Sequence, residues 1–262
     1  MTPELSGFSQ LFGDITKPIV LGFPRALAML IVFPLLPVSL VPLVLRNGLA
    51  VAILLPVYPV LRAALPDAPD APLAWFFYVL KEAAIGAAIG WSFAIVIWAM
   101  EAVGGLLDIQ TGTSSGATFD PLSQQPAAVF SQLMRNIAIT IFLGVGGLLI
   151  ILKVFYESLM VWPTKSAFPL SPAMVWDMTR NTSAQMLSLG LSIVLPLLIL
   201  LLIIELGLGL MNRSLPQLNV FSLSMPIKMV AALLLLALAL GYFSDLIIQF
   251  VANHDGLGRI GK

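Results

Sequence analysis

The sequence predicts an all-α integral membrane protein. Hydrophobic residues make up 59% of the chain, charged residues only 10%, and the mean hydropathy is +1.01. Soluble domains carry about 25% charged residues, so this composition is typical of a chain that lies in a bilayer. Only helices and closed barrels satisfy every backbone polar group in lipid, and the alternating pattern of barrel strands is not sustained anywhere. The spanning elements are therefore predicted to be helices.

Six segments are apolar over about the 20 residues that a helix needs to cross the hydrocarbon core. They lie at about 24–45, 47–64, 75–103, 130–156, 184–211 and 227–250. We expect six long helices, several of them broken by proline or glycine, in a single membrane domain that covers residues 1–262.

The first segment is rich in proline, which removes a backbone donor and clashes with the preceding helical turn. The prolines are Pro18, Pro24, Pro34, Pro37 and Pro42. One interpretation is a broken helix that lines a site or wraps a partner. The other is a kinked helix packed by its neighbours, which membrane helices tolerate. The residues leave both open.

Small residues predict close helix packing. Gly86 and Gly90 in the third segment have the GxxxG spacing that lets another helix approach closely. Further glycines occur in or beside the apolar segments, at Gly104, Gly105, Gly144, Gly146, Gly147, Gly207 and Gly209. We therefore expect dense packing, either within the chain or with other subunits.

Composition argues against most catalytic chemistry. The chain has no cysteine, its single histidine is His254, and its 13 basic and 13 acidic residues cancel. Thiolate chemistry is excluded, a zinc site is disfavoured, and no charge excess suggests nucleic acid as a partner. No phosphate-cradling glycine loop is present. We expect no catalytic residue, no cofactor and no metal site, and a membrane protease or transferase is disfavoured.

Ionisable residues in apolar segments are costly and often functional. The candidates are Glu82, Glu101, Asp108, Glu205 and Lys228. Glu101 and Asp108 are seven residues apart, which places both on one face of a continuous helix. Either of them, or Glu205, could couple ion movement in a stand-alone secondary transporter. The interpretation that the residues favour is structural: ion pairs with basic side chains such as Arg135, Arg213 or Lys228. Glu205, about two turns from Arg213, is likewise predicted to be an ion-pair partner.

Two polar inserts interrupt the apolar pattern. The first runs from Gly104 to Pro121 and is poor helix material in its second half, where Phe119 is the lone large apolar side chain. It could fold inward and plug a pore with Phe119 as the seal. It could also be a surface loop anchored by that aromatic ring, which the residues alone favour. The second insert, Asn212 to Lys228, is framed by Pro216 and Pro226 and suits a rigid structural joint.

Together the two inserts resemble the signatures of a known family. Gly105-Leu-Leu-Asp-Ile-Gln-Thr-Gly112 is followed by Phe119-Asp-Pro121, and later Pro216-Gln-Leu-Asn-Val-Phe221 leads into Met225-Pro-Ile-Lys228. These runs, their order and the six hydrophobic segments resemble the T component (FliR-like) of the bacterial type III secretion export apparatus. Asp108 before Ile-Gln, and the Met-Pro-Ile-Lys ending, are more similar to the injectisome branch than to the flagellar one.

The resemblance implies a core subunit of an export gate in the bacterial inner membrane. Its partners would be the R, S and U membrane components (FliP-like, FliQ-like and FlhB-like), lipid, and unfolded substrate proteins in transit. The plug loop would contain Gln110, Gly112, Phe119, Asp120 and Pro121. The assembly motif, which begins with a packed structural turn, would contain Pro216, Gln217, Leu218, Asn219, Val220, Phe221, Pro226 and Lys228.

Overall fold

A computed structural model describes residues 3–35, 41–63, 72–113, 128–163, 172–214 and 220–255. Within these ranges the chain forms eight α-helices and no strand, which confirms the all-α prediction. The helices are α1 (Pro3–Val32), α2 (Leu43–Leu54), α3 (Tyr58–Ala63), α4 (Pro72–Thr111), α5 (Val129–Gly144), α6 (Gly147–Val161), α7 (Pro172–Ser214) and α8 (Val220–Asp255). A 3-10 turn, Leu55–Val57, joins α2 to α3.

Four helical stretches in the described ranges are long and apolar enough to cross a membrane. They are Leu43–Arg62, Trp75–Thr111, Gly190–Met211 and Ser224–Ala252, and a fifth is gained if the broken pair α5 and α6 counts as one span. The chain is therefore a multi-pass membrane protein, but the predicted count of six spans is not confirmed.

Two predicted segments contain non-helical residues in the structure, and a third, at 47–64, changes to the 3-10 turn between α2 and α3. The segment at 24–45 is not one helix, because α1 ends at Val32 and α2 begins at Leu43. Pro34 disfavours helical backbone at Phe33, which fits this end point. The segment at 130–156 breaks at Gly146, whose φ of +84° lies in the left-handed region that favours glycine. By contrast, Pro18 and Pro24 lie inside the uninterrupted helix α1.

The chain divides into two compact units. The first contains Met1–Ala94, Gly146–Asn181 and Asp255–Lys262, and the second contains Ile95–Val145 and Thr182–His254. Helix α4 begins in the first unit and ends in the second. The assignment of the whole chain to a single domain stays a prediction.

The first unit is built on a close crossing of α1 over α4. A Cβ added at Gly86 would overlap the carbonyl group of Arg25, and one added at Gly90 would lie 2.7 Å from the carbonyl oxygen of Met29. The close approach predicted from the GxxxG spacing is confirmed, with α1 as the partner helix. Fully buried side chains in this unit include Ala26, Met29, Leu54, Phe93 and Phe155.

The second unit also contains a close helix contact at a glycine of α4, with α5 as the partner helix. A Cβ added at Gly104 would overlap the backbone of Phe130 at the start of α5. Fully buried residues on the two helices include Ile97, Met100, Phe130, Met134 and Phe142. Helices α7 and α8, in contrast, expose many large apolar side chains, such as Ile199, Leu206, Leu210, Val230, Leu234 and Leu238.

Candidate functional site

The first unit contains a buried group of polar residues, which we call the arginine cluster: Arg25, Lys81, Glu82, Ser158 and Trp162. The guanidinium of Arg25 donates through Nε to Glu82 Oε2 at 2.7 Å, and both side chains are fully buried. Its other nitrogens donate to Ser158 Oγ at 3.2 Å and to the carbonyl of Trp162 at 3.0 Å. Arg25 on α1 thus binds α4 and the C-terminal end of α6, where a cation is favoured.

Local sequence explains how this pair forms. Glu82 lies four residues before Gly86, so both face the same side of α4. Because Gly86 admits the backbone of α1 at Arg25, the carboxylate comes within reach of the guanidinium. Lys81 Nζ lies 3.1 Å from the other oxygen, Glu82 Oε1, and 5.0 Å from the centre of the Tyr78 ring. A cation over an aromatic ring is stabilised by the ring quadrupole.

The second unit contains the aspartate cap, formed by Asp108 with Thr113, Phe130 and Ser131. The backbone amides of Phe130 and Ser131 donate to Asp108 Oδ1 at 3.0 Å and Oδ2 at 2.9 Å. The hydroxyl groups of Ser131 and Thr113 also donate to this carboxylate, at 3.0 and 2.8 Å. These amides belong to the first turn of α5, where a helix has unpaired donors. Asp108 therefore caps a helix that begins some 20 residues later in the chain.

A third group, the lysine cluster, joins Gln110, Glu205 and Lys228 in the second unit. Lys228 Nζ lies 3.1 Å from Glu205 Oε1 and donates to the Gln110 carbonyl at 3.4 Å. The Gln110 side-chain amide donates to Glu205 Oε2 at 3.2 Å. Glu205 remains half-exposed whereas Lys228 is buried, so one end of the pair stays open to its surroundings. The three residues connect α4, α7 and α8.

The predicted ion-pair residues have different kinds of partner in the structure. Glu101 lies 3.7 Å from Arg135, as the structural interpretation expected, with both side chains about one-third exposed. Glu205 meets Lys228 rather than Arg213, which is exposed in the last turn of α7. For Asp108 a basic partner was expected; among the described residues its donors are two backbone amides and two hydroxyl groups, because the start of α5 faces it.

The structure describes part of the predicted plug loop and part of the predicted assembly motif. Gly112 comes directly after α4 with φ +78°, and its neighbour across the contact is the side chain of Met225. Val220 and Phe221 form the first turn of α8, so the expected turn ends before them, and Pro226 lies inside that helix. Phe119, Asp120 and Pro121 lie outside the described residues, as do Pro216, Gln217, Leu218 and Asn219.

Arg25 is the functional candidate that sequence reasoning missed. Glu82 was recognised as an ionisable residue in an apolar segment, but its partner was not identified. A signal was available: Arg25 comes after Pro24 as a lone cation inside the apolar run of α1, and such a charge requires a partner at membrane depth.

The arrangement of these clusters is better suited to holding helices together than to catalysis or metal binding. The carboxylates of Glu82, Glu101, Asp108 and Glu205 all have bound partners. Among the described residues no three His, Asp or Glu side chains are grouped so that they could hold a metal ion.

Comparison with known proteins identifies one family. The family described as "Bacterial export proteins, family 1" matches residues 17–254. The chain is 33% identical over 231 residues to the Yop proteins translocation protein T of Yersinia pestis, covering 86% of this chain and 87% of that protein. It is 30% identical over 228 residues to the secretion system apparatus protein SsaT of Salmonella typhimurium, with 86% and 87% covered. It is also 30% identical over 216 residues to the flagellar biosynthetic protein FliR of Escherichia coli, with 81% and 80% covered.

Proposed function

Because this chain belongs to the bacterial export proteins of family 1, we propose that it is the T component of a type III export gate in the bacterial inner membrane. In this role it helps to form and seal the channel through which unfolded proteins leave the cell. The observation that carries the proposal is the family match over residues 17–254, together with secretion-apparatus relatives aligned over more than four-fifths of their length.

An injectisome is favoured over a flagellum. The identity to the Yersinia pestis translocation protein is 33%, against 30% for the Escherichia coli flagellar protein. The residues Asp108 and Met225 to Lys228 point the same way, since their pattern resembles the injectisome branch.

The structure also supports a gate subunit over a self-sufficient transporter. Glu101 is paired with Arg135, Asp108 caps a helix, and Glu205 is paired with Lys228, so each carboxylate already has a structural role. The exposed apolar faces of α7 and α8 provide surfaces for lipid and for other membrane subunits. We propose the R, S and U components of the gate as those subunits, and no enzymatic activity for the chain itself.

Purification and secretion assays test this role. The chain, isolated in mild detergent, should copurify with the other gate subunits, and deletion of its gene should abolish secretion until the gene is restored. A chain that purifies alone, binds a small solute and is dispensable for secretion would contradict the proposal.

We propose that Phe119 seals the closed channel, because it is the lone large apolar side chain in the polar second half of the first insert. Phe119→Ala should increase small-ion leak across cells that contain the assembled complex. Phe76→Ala is the matched control, since Phe76 is an exposed aromatic residue near the start of α4. Equal leak in the two variants, with both complexes assembled, would exclude Phe119 as the seal.

We further propose that Gln217 and Asn219 satisfy buried backbone groups in the second insert. An unsatisfied buried polar group costs about 1–3 kcal/mol. Replacing both residues with Leu should reduce copurification with the partner subunits. Undiminished recovery of the partners would contradict this role.

A further inference from the structure

One exposed face of α8 has the residue spacing of a contact between two helices. Leu234, Leu238, Gly241, Asp245 and Ile248 are all exposed, and they follow one another at alternating intervals of four and three residues. This heptad spacing places them in one line along the helix, as in helices that pack side by side. We call this line of residues the α8 seam. Its pattern suits a second helix.

Two members of the α8 seam differ from ordinary lipid-facing residues. A Cβ added at Gly241 would meet no atom within 4 Å, so the backbone there is open to close approach by another helix. Asp245 is exposed, and among the residues that the structure describes it has no hydrogen-bond or ion-pair partner. Its own helix provides no lysine or arginine after Lys228. A partner for this carboxylate therefore has to come from outside the described chain.

Asp245 lies within the membrane-spanning part of α8 rather than at its polar end. The spanning stretch runs from Ser224 to Ala252. Residues 246–252 are apolar except for Gln249, and the polar end of the helix begins only at Asn253. A carboxylate in such surroundings is costly unless it faces a water-filled cavity or pairs with an opposite charge. Lipid tails provide neither.

Helix α4 shows how a glycine and a carboxylate at this spacing bind another helix. Gly104 lies four residues before Asp108, just as Gly241 lies four residues before Asp245. The backbone of α5 lies so close to Gly104 that an added Cβ would overlap it, and Asp108 accepts hydrogen bonds from that same helix. On α8 the same two residue types are present, and the described residues bring no helix against the glycine.

We propose that the α8 seam binds a membrane helix of another subunit, which packs against Gly241 and presents a lysine or arginine to Asp245. The inference deepens the proposed function, on which it rests for the identity of that subunit as a gate component. Charge complementarity selects this occupant. Lipid tails carry no cation, and a second copy packed in parallel, seam to seam, would bring two Asp245 carboxylates together.

Photo-crosslinking in cells that contain the complete secretion system tests the occupant. A photoreactive amino acid at Leu238 should attach to one membrane helix of another subunit. Because Leu238 and Asp245 are about two helical turns apart, mass spectrometry should find a lysine or arginine within about two turns of the attachment point. Leu233, an exposed leucine of α8 outside the seam, is the matched control and should not give this adduct. Adducts only with lipid, with a second copy, or with a helix that lacks a basic residue would overturn the inference.

Charge exchange tests the role of Asp245. Asp245→Lys should reduce recovery of the crosslinked subunit by roughly fivefold or more, as expected for a polar contact between membrane helices. Changing the partner's basic residue to Asp should restore recovery. Glu157→Lys, the same reversal at a partly exposed carboxylate of α6, is the control and should leave recovery unchanged. Equal losses in the two variants, or no restoration by the partner's substitution, would overturn the pairing.

Gly241→Leu covers failure of Asp245→Lys to fold. The added Cβ meets no atom within 4 Å and leucine favours helix more than glycine, so the isolated chain should be no less stable. Recovery of the subunit should nevertheless fall, because the partner helix can no longer approach closely. Gly48→Leu, also at a glycine with open space around it, is the control. Undiminished recovery with Gly241→Leu would overturn only this inference, whereas an unaltered chain that recovers no gate subunit would contradict the proposed function itself.

Discussion

The arginine cluster and the aspartate cap share a local arrangement of residues on α4 but bind different partners. In each, a carboxylate lies four residues from a glycine on the same face of α4: Glu82 with Gly86, and Asp108 with Gly104. The glycine lets the backbone of another helix approach closely, and the carboxylate binds hydrogen-bond donors on that helix. Glu82 receives a buried guanidinium, whereas Asp108 receives the amides of a helix start.

The difference separates two kinds of stabilisation. A buried charge pair depends on both partners, because removing one leaves an uncompensated charge away from water. A carboxylate on a helix start interacts with partial charges and hydrogen-bond donors, which are present whatever the side chains of that helix are. The first unit is thus fixed by a particular arginine, and the second by the backbone itself.

Breaking the buried pair should give the largest loss of stability. Arg25→Leu leaves Glu82 buried with Lys81 as its remaining cationic neighbour and removes the donor to Ser158 and the Trp162 carbonyl, so we expect the free energy of unfolding to fall by about 3–5 kcal/mol. Circular dichroism of the detergent-purified chain during denaturation measures this change. Arg62→Leu, at an exposed position of α3, should change it by less than about 0.5 kcal/mol. Similar losses in the two variants would mean that Glu82 does not need Arg25.

Substitutions at Gly86 and Gly104 test whether both units depend on close contact between helices. Gly86→Ala and Gly104→Ala would each place a methyl group against backbone atoms of the facing helix, and overpacking of this kind costs about 1–3 kcal/mol. Gly48→Ala is the control, since a Cβ there meets nothing within 4 Å. That control should gain up to about 1 kcal/mol from helix propensity. A neutral Gly104→Ala would show that α5 can move away from α4 without loss.

Sequence reasoning identified local features and missed most of their partners. The GxxxG spacing predicted a close helix contact at Gly86, but not that α1 would supply it. Pro34 and Gly146 carry the signal for the two helix breaks: breaks at proline or glycine were expected in several segments, but the residues at which they occur were not predicted. Helix continuity depends on local backbone preferences, whereas the choice of a packing partner depends on contacts between distant residues.

The aspartate cap shows the same limit at the level of the site. Asp108 was recognised as a carboxylate that needs a partner, and a basic side chain was expected. The N-cap position of α5 is Ala128, whose side chain has no hydrogen-bond acceptor, and this too can be read from the sequence. Nothing local connects the two residues, because their interaction exists only once Gly104 has brought α5 onto α4. An ion pair with a basic side chain was therefore predicted at a position where Asp108 accepts hydrogen bonds from backbone amides.

The smallest effect should come from the peripheral pair Glu101 and Arg135. Both side chains are about one-third exposed and their charged atoms lie 3.7 Å apart, so Glu101→Gln should cost less than about 1 kcal/mol. Surface ion pairs are screened when the Debye length shortens to about 3 Å near 1 M salt. The effect of Glu101→Gln on the free energy of unfolding should therefore vanish as salt is raised to about 1 M, while that of Arg25→Leu persists. Equal salt sensitivity of the two variants would remove the distinction between a buried pair and a screened one, because salt reaches only charges that water also reaches.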